Sequence, residues 1–205
     1  MKVLLINGSP NAKGSTYTAL NEVATTLNNL TVETEIVHVG HKDIRGCIGC
    51  RKCKTIGKCV FDDLVNETAP KFEACGGIVI GTPVYFASAN GTVVSFIDRL
   101  FYSVPFDKRM KVGATVMALR RGGASSTFDE MNKYFTISEM PVVSSGYWNS
   151  VHGHNAEEVK QDLEGMQVMR TLGKNMAFLM KSIELGKKEL GLPEREERVF
   201  TNFIR

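Results

Sequence analysis

Residues 2–16, KVLLINGSPNAKGST, decide the fold of this chain. The apolar run at 3–6 stops at the turn residues Asn-Gly-Ser-Pro, which is typical of a strand buried on both faces of a parallel sheet. Helical periodicity begins at Ser15, so the loop between them connects a strand to a helix. Backbone N–H groups, hydroxyls and the positive end of a helix surround one anionic group at such a corner. The sequence therefore predicts a phosphate-binding loop.

The loop differs from the two best-known phosphate loops. A Walker loop needs a lysine after its last glycine, but Gly14 is followed by serine, and the Gly-x-Gly-x-x-Gly spacing of dinucleotide folds is missing. The alternative to a phosphate site is a plain turn in which Ser15 caps the helix.

Strand-like and helix-like segments alternate along the rest of the chain. Further strands are predicted at 33–39, 77–82, 111–119 and 141–143, and helices at 15–30, 62–74, 91–103, 125–139 and about 156–190. This alternation favours an α/β fold, with a parallel sheet covered by helices on both faces. A Gly- and Cys-rich loop at 40–60 interrupts the pattern, and Pro70 is expected to kink or split its helix.

Length and composition indicate one ordinary globular domain over 1–205. The chain has 43% hydrophobic and 23% charged residues and a net charge of only +3, which gives no electrostatic footprint for nucleic acid or an anionic membrane. The first apolar run is too short for a signal peptide, and no run approaches the roughly 20 residues that span a bilayer. We therefore expect a cytoplasmic protein without a nucleic-acid or membrane partner.

The segment TPVYF at 82–86 follows the third predicted strand. In an open α/β sheet the ligand lies at the carboxyl ends of the strands, so this segment should meet the phosphate loop. Pro83 makes the turn rigid, its neighbours offer N–H groups to a planar heterocycle, and Tyr85 or Phe86 can pack on a ring. Aromatic residues that merely close the end of the sheet are an equal alternative.

The segment RRGG at 120–123 follows the fourth predicted strand. Gly122 and Gly123 allow the backbone to approach a ligand closely, and Arg121 beside them can stabilise negative charge on a reduced ring. The loop after the fifth strand carries His152 and His154 over the same edge, but surface histidines are the simpler interpretation.

Four cysteines form a compact pattern, C-x2-C-x2-C-x5-C, in the loop at 40–60. They are Cys47, Cys50, Cys53 and Cys59. In a reducing compartment such spacing indicates a ligand or redox cluster, and not a disulfide framework. Three alternatives remain open: an iron–sulfur cluster, free or redox-active thiols activated by the surrounding Arg and Lys residues, and zinc.

Together these segments resemble the NADPH-dependent FMN reductase family of the flavodoxin-like superfamily. The resemblance lies in residues 7–16, 82–85, FIDRL at 96–100 and the Gly-rich loop after the fourth strand. The cysteine pattern and TNFIR at 201–205 are similar to the iron–sulfur flavoprotein branch. Nearly the whole chain takes part in the resemblance.

The family resemblance implies a flavodoxin-like three-layer sandwich, whose five-stranded parallel sheet has the order 2-1-3-4-5. It also implies a flavin site. The residues expected to bind FMN are Ser9, Pro10, Lys13, Ser15 and Thr16 at the phosphate, Pro83, Val84, Tyr85 and Phe86 at the ring, and Arg121, Gly122 and Gly123 beside it. A [4Fe-4S] cluster on Cys47, Cys50, Cys53 and Cys59 is implied as well. Homodimers or homotetramers, in which a neighbouring subunit covers the flavin, are expected.

The implied activity is hydride transfer from NAD(P)H to FMN, and then onward to a small-molecule acceptor such as a flavin or quinone, or to another electron carrier. The alternative is an electron carrier with FMN and [4Fe-4S] that a ferredoxin-like partner reduces. A thiol redox sensor in which FMN is incidental is the third hypothesis. Because the cofactor performs the difficult step, no catalytic side chain is predicted.

Overall fold

The computed structural model describes residues 1–201 and 203; Asn202, Ile204 and Arg205, which belong to the TNFIR segment, lie outside the described residues. The elements in chain order are β1 (Lys2–Asn7), α1 (Ser15–Asn29), β2 (Glu33–His38), α2 (Cys53–Ile56), α3 (Leu64–Ala74), β3 (Gly77–Tyr85), β4 (Ser88–Ala89), α4 (Gly91–Ser103), β5 (Val112–Leu119), α5 (Ala124–Thr136), β6 (Ser150–His152), α6 (Ala156–Gln161) and α7 (Leu163–Leu190).

The sheet has the parallel order β2-β1-β3-β5-β6, and β4 pairs antiparallel with the end of β3. The predicted α/β, flavodoxin-like fold class is confirmed. The sheet has six strands where five were expected, because the chain turns back on itself after Tyr85 and forms the two-residue strand β4. The strand order reverses between β1 and β3, which makes the carboxyl ends of these strands the usual place for a ligand.

Two local features differ from the sequence-based expectations, and a third differs in part. The edge strand is β6, whereas the predicted strand at 141–143 contributes only an isolated bridge from Val142 to Gly113. The predicted helix at 156–190 is interrupted at Asp162, whose carboxylate accepts a hydrogen bond from the Gly165 N–H and caps α7. Pro70 lies inside α3 without splitting it, and the alternative expectation of a kink stays a prediction. The longest described helix is α7. Among the residues that the structure describes, neither α7 nor any other helix is both long enough and apolar enough to cross a bilayer.

Alternating side chains of β1 face two separate cores. Val3 and Leu5 pack with α1 and α7 on one face of the sheet, and Leu4 and Ile6 pack with α3, α4 and α5 on the other. A slip of one residue would exchange these two sets, so the apolar pattern fixes the register. The loops at the carboxyl ends of the strands are thereby held at one edge.

Candidate functional site

A cleft of about 700 Å³ opens at this edge of the sheet. Its lining consists of residues 9, 11–16, 83–85, 118–120 and 153–157, which lie at the ends of β1, β3, β5 and β6 or directly after them. The volume lies within the roughly 300–1,000 Å³ of typical small-molecule sites. Residues from three of the segments singled out in the sequence thus meet at one cleft.

The loop between β1 and α1 is held in shape by Asn7, which is fully buried. Its side-chain Nδ2 donates to the carbonyl oxygen of Ala12 at 3.2 Å, and its Oδ1 accepts from the Ser9 N–H at 3.1 Å. The Ser9 Oγ in turn accepts from the Asn11 N–H at 3.2 Å. The loop therefore has a defined shape before any ligand is present.

The start of α1 leaves hydrogen-bond donors facing the cleft. Gly14 takes the N-cap position without a side-chain cap, so Ser15 does not cap the helix as the plain-turn alternative required. The first N–H groups of a helix have no intrahelical acceptor. The Thr16 Oγ1 is buried, its residue is only 1% exposed, and it has no hydrogen-bond partner among the described residues. An unsatisfied buried hydroxyl beside a positive helix end fits an oxyanion such as a phosphate. Lys13 lines the same part of the cleft with an exposed side chain.

The second wall of the cleft is the end of β3. Pro83, Val84 and Tyr85 line the cleft, whereas the fully exposed Phe86 does not. Phe86 and Ala87 form the turn into β4 with φ of +50° and +60°. Two consecutive positive φ values are typical of hairpin turns that normally carry Asn-Gly, so this turn is strained.

Helix α5 holds the strained turn in place. The Ser126 Oγ donates to the carbonyl oxygen of Ala87 at 2.6 Å. The Glu130 carboxylate accepts from the Ser88 hydroxyl at 2.8 Å and from the Ala89 N–H at 3.1 Å. These contacts fix the wall of the cleft against the body of the protein.

We expect Ala87→Gly to stabilise the protein by up to about 1 kcal/mol, because glycine adopts positive φ without the steric cost that alanine carries. Chemical denaturation of the apoprotein measures the change. Ala89→Gly is the matched control, since Ala89 has no positive φ and is buried in β4, and it should be destabilising. Equal losses of stability in the two variants would show that Ala87 is not strained.

The loop after β5 places Arg120 on the cleft, whereas Arg121, Gly122 and Gly123 are not among its lining residues. Gly123 has a φ of +99°, and a Cβ there would lie 2.7 Å from the Ala87 Cα. The missing side chain thus lets the loop contact the hairpin. Pro10 also lies outside the lining of the cleft and is exposed.

The fourth wall was not assigned a binding role from the sequence. It comprises Gly153, His154, Asn155, Ala156 and Glu157, in the loop after β6 and the first turn of α6. The Asn155 side chain caps α6 by accepting from the next two backbone N–H groups. The only signal for this wall was its place after the last strand, at the carboxyl edge of the sheet.

The four clustered cysteines line one small cavity of about 20 Å³, against Phe61 and Arg99. Cys47 and Cys50 are exposed, and Cys53 and Cys59 are partly buried. A four-thiol donor set suits an iron–sulfur cluster or zinc. The cavity has room for about one water molecule, and no three His, Cys, Asp or Glu side chains in the described ranges converge as metal ligands. A bound metal centre would require the exposed thiols to turn inward.

Arg99 is the buried charge of this cavity, with 1% of its side chain exposed. Its Nε and Nη2 each lie 3.3 Å from the Cys59 Sγ. Its Nη1 and Nη2 also donate to the two carboxylate oxygens of Asp63, at 2.7 and 2.9 Å. Burial by itself lowers the pKa of Arg99, but the bonds to Asp63 and Cys59 outweigh it and the pKa is raised. In the sequence this residue appeared only within the FIDRL segment.

The sequence matches known proteins over most of its length. A family model described as NADPH-dependent FMN reductase matches residues 1–155. An iron–sulfur flavoprotein of Methanocaldococcus jannaschii is 33% identical over 192 residues, which cover 90% of this chain and 100% of that protein. An iron–sulfur flavoprotein of Methanosarcina thermophila is 26% identical, with 90% and 97% covered.

Solved structures share the fold at low sequence identity. RosB with bound 8-demethyl-8-formylriboflavin-5'-phosphate has a TM-score of 0.70 at 15% identity, covering 98% of this chain and 92% of that one. A flavodoxin from the domain Archaea has a TM-score of 0.61 at 13% identity, covering 88% and 99%.

Proposed function

We propose that this chain, which belongs to the NADPH-dependent FMN reductase family and groups there with the iron–sulfur flavoproteins, binds FMN in the cleft at the sheet edge and passes electrons through it. The observation that carries the proposal is the buried Thr16 hydroxyl, which has no partner in the described chain and lies at the positive end of α1 on the cleft wall. Family membership and the relatives make the chain a flavin oxidoreductase. The position of the flavin and the source of its electrons are the proposed parts.

The phosphate would lie at the start of α1. There Lys13, Ser15 and Thr16 line the cleft, and the N–H groups of the first turn have no intrahelical acceptor. Ser9 shapes the loop through its bond to Asn11. This set of donors suits a phosphate dianion, because hydrogen bonds to a charged group are stronger than neutral ones.

The ring would lie along Pro83, Val84 and Tyr85, opposite the loop after β6. Bound FMN supplies the acceptance and release of one or two electrons, and the protein positions it and adjusts its electrostatics. Arg120, which lines this part of the cleft, is our candidate to stabilise negative charge at the ring, a role that the sequence suggested for Arg121. Ring contacts by Phe86, Arg121, Gly122 and Gly123, and a contact by Pro10, stay predictions.

NAD(P)H is the first candidate electron donor. The family description supports it, and a small-molecule acceptor such as a flavin or quinone would then use the same cleft. On this proposal the chain needs no acidic or basic side chain, because hydride passes directly between the two cofactors.

An iron–sulfur centre fed by a ferredoxin-like protein is the second candidate donor. It is favoured by the four cysteines around one cavity and by the relatives, which are named iron–sulfur flavoproteins. A [4Fe-4S] centre would deliver electrons singly, and Cys47, Cys50, Cys53 and Cys59 are the residues that would hold it. Each of them borders the same cavity.

Anaerobic purification tests both parts of the proposal. We expect a flavin absorption spectrum, with about one FMN per chain released on denaturation. Iron and sulfide analysis then decides whether the cysteines hold a cluster.

The electron donor is identified by following flavin reduction after addition of NADH, NADPH or a reduced ferredoxin. Reduction by the nucleotides selects the first donor, and reduction by ferredoxin alone selects the second. A folded, colourless protein that takes up no FMN from excess would overturn the flavin site.

We also propose a cytoplasmic homodimer or homotetramer. Tyr85 on the cleft and Phe86 next to it are exposed and support an interface there, because large exposed apolar groups often mark contact surfaces. Light scattering on the FMN-bound protein measures the subunit number, and a monomer at micromolar concentration would contradict the assembly.

A further inference from the structure

We propose that Arg99 is a positioning residue for Cys59 and sets the reduction potential of the metal centre that the four clustered cysteines would hold. The inference rests on the iron–sulfur part of the proposed function. Its basis is the pair of N–H groups that Arg99 directs at one sulfur atom, inside the protein and on the wall of the cavity.

The hydrogen bonds of Arg99 hold its guanidinium in one orientation. Apart from the bonds to Cys59 and Asp63, its Nη1 donates to the carbonyl oxygen of Arg45 and its Nη2 to that of Phe61, both at 3.3 Å. The five N–H groups of a guanidinium lie in one plane, so acceptors on several sides fix its rotation as well as its position. The Phe61 ring packs 5.1 Å from the Arg99 Cζ and adds a further contact.

Asp63 explains why a buried arginine is tolerated, but it does not explain the sulfur contacts. The two-pronged ion pair with Asp63 balances the charge of Arg99 and joins α4 to the start of α3, where Asp63 also caps the helix. A purely structural ion pair would need only these bonds. Thiol sulfur is a weak acceptor, yet Arg99 offers it two N–H groups.

The expected effect follows from charge. Reduction adds one electron to the centre, with no bond formed or broken, so the reduced state is more negative at its sulfur ligands. Buried N–H donors on a ligand sulfur stabilise that state and raise the reduction potential. Loss of Arg99 should therefore make the centre harder to reduce.

The test is a mediated redox titration of the iron-loaded protein, with the reduced centre followed by its paramagnetic resonance signal. We expect Arg99→Gln to lower the reduction equilibrium constant at least tenfold, which is about 59 mV for a one-electron couple. Arg99→Lys keeps the positive charge but loses the planar pair of N–H groups, so the reduction potential should shift by a smaller amount. Arg45→Gln is the matched control. It removes another guanidinium that packs on Phe61, 4.7 Å from the ring, but this one is exposed to solvent, so the potential should shift much less than in Arg99→Gln.

Arg99→Lys keeps the inference testable if Arg99→Gln does not fold or does not retain iron. Its ammonium can still pair with the Asp63 carboxylate but cannot present a planar pair of N–H groups to the Cys59 sulfur, so the potential should fall by less than in Arg99→Gln. Iron-loaded Arg99→Gln with the potential of the unmodified protein would overturn this inference alone, as would an unshifted Arg99→Lys. An unmodified protein without iron and sulfide would overturn the proposed cluster and this inference together, while the FMN result stands separately.

Discussion

Thr16→Val is expected to raise the dissociation constant for FMN about ten- to hundredfold without destabilising the apoprotein. Its hydroxyl would bond to the phosphate, and a bond to a charged group contributes about 1.5–3 kcal/mol. Without the flavin, the same hydroxyl is buried and has no partner in the part of the chain described. Valine has nearly the same shape and no polar atom to desolvate, so the empty protein should be as stable or slightly more stable.

Thr127→Val is the matched control for Thr16→Val. The Thr127 hydroxyl is also buried without a partner in the described structure, but Thr127 lies in α5 and does not line the cleft. Both variants should retain or gain stability in denaturant unfolding of the apoprotein. Only Thr16→Val should weaken FMN binding, measured by quenching of FMN fluorescence. Equal FMN affinities in the two variants would move the phosphate away from the start of α1.

The sequence predicted the fold and part of the cleft because both depend on local patterns. The apolar run of β1, the turn after it and the helix that follows fix the first corner. Because ligands bind at the carboxyl ends of the strands in such a sheet, the sequence also predicted that Pro83, Val84 and Tyr85 lie at the cleft. The binding of FMN by these residues stays a prediction, since geometry places them without identifying their ligand.

Features that depend on distant contacts were not predictable. Arg99 meets Cys59 across 40 positions of sequence, and no periodicity indicates which face of α4 reaches the cysteine loop. The break at Asp162 was not predicted because the three- and four-residue spacing of apolar side chains continues through it. The helix restarts there because the Asp162 carboxylate accepts a hydrogen bond from the Gly165 N–H. The edge strand was misplaced because residues 141–143 lie beside the start of β5, where only one bridge forms, whereas β6 pairs with three residues at the end of β5.

Gly40 shows how a distant contact can decide the shape of the loop after β1, where we propose that the phosphate binds. In the sequence it only opened the loop at 40–60, but its backbone packs directly on the loop after β1, and its N–H donates to the Asn7 carbonyl oxygen at 3.2 Å. A Cβ at this position would lie 2.2 Å from both the Gly8 carbonyl oxygen and the Ser9 carbonyl carbon. These are backbone atoms, so no side-chain rotation can relieve the overlap.

We therefore expect Gly40→Ala to destabilise the apoprotein by about 2–3 kcal/mol, in the upper range for overpacking, and to weaken FMN binding at least tenfold. The second effect follows because relief of the overlap must move Gly8 and Ser9, and with them the hydrogen-bond donors that we propose for the phosphate. Gly91→Ala is the control, since a Cβ at the first residue of α4 meets nothing within 4 Å and alanine favours a helix. Denaturant unfolding and FMN titration of both variants measure the two effects. A Gly40→Ala protein that loses stability but keeps its FMN affinity would show that the loop position does not govern flavin binding.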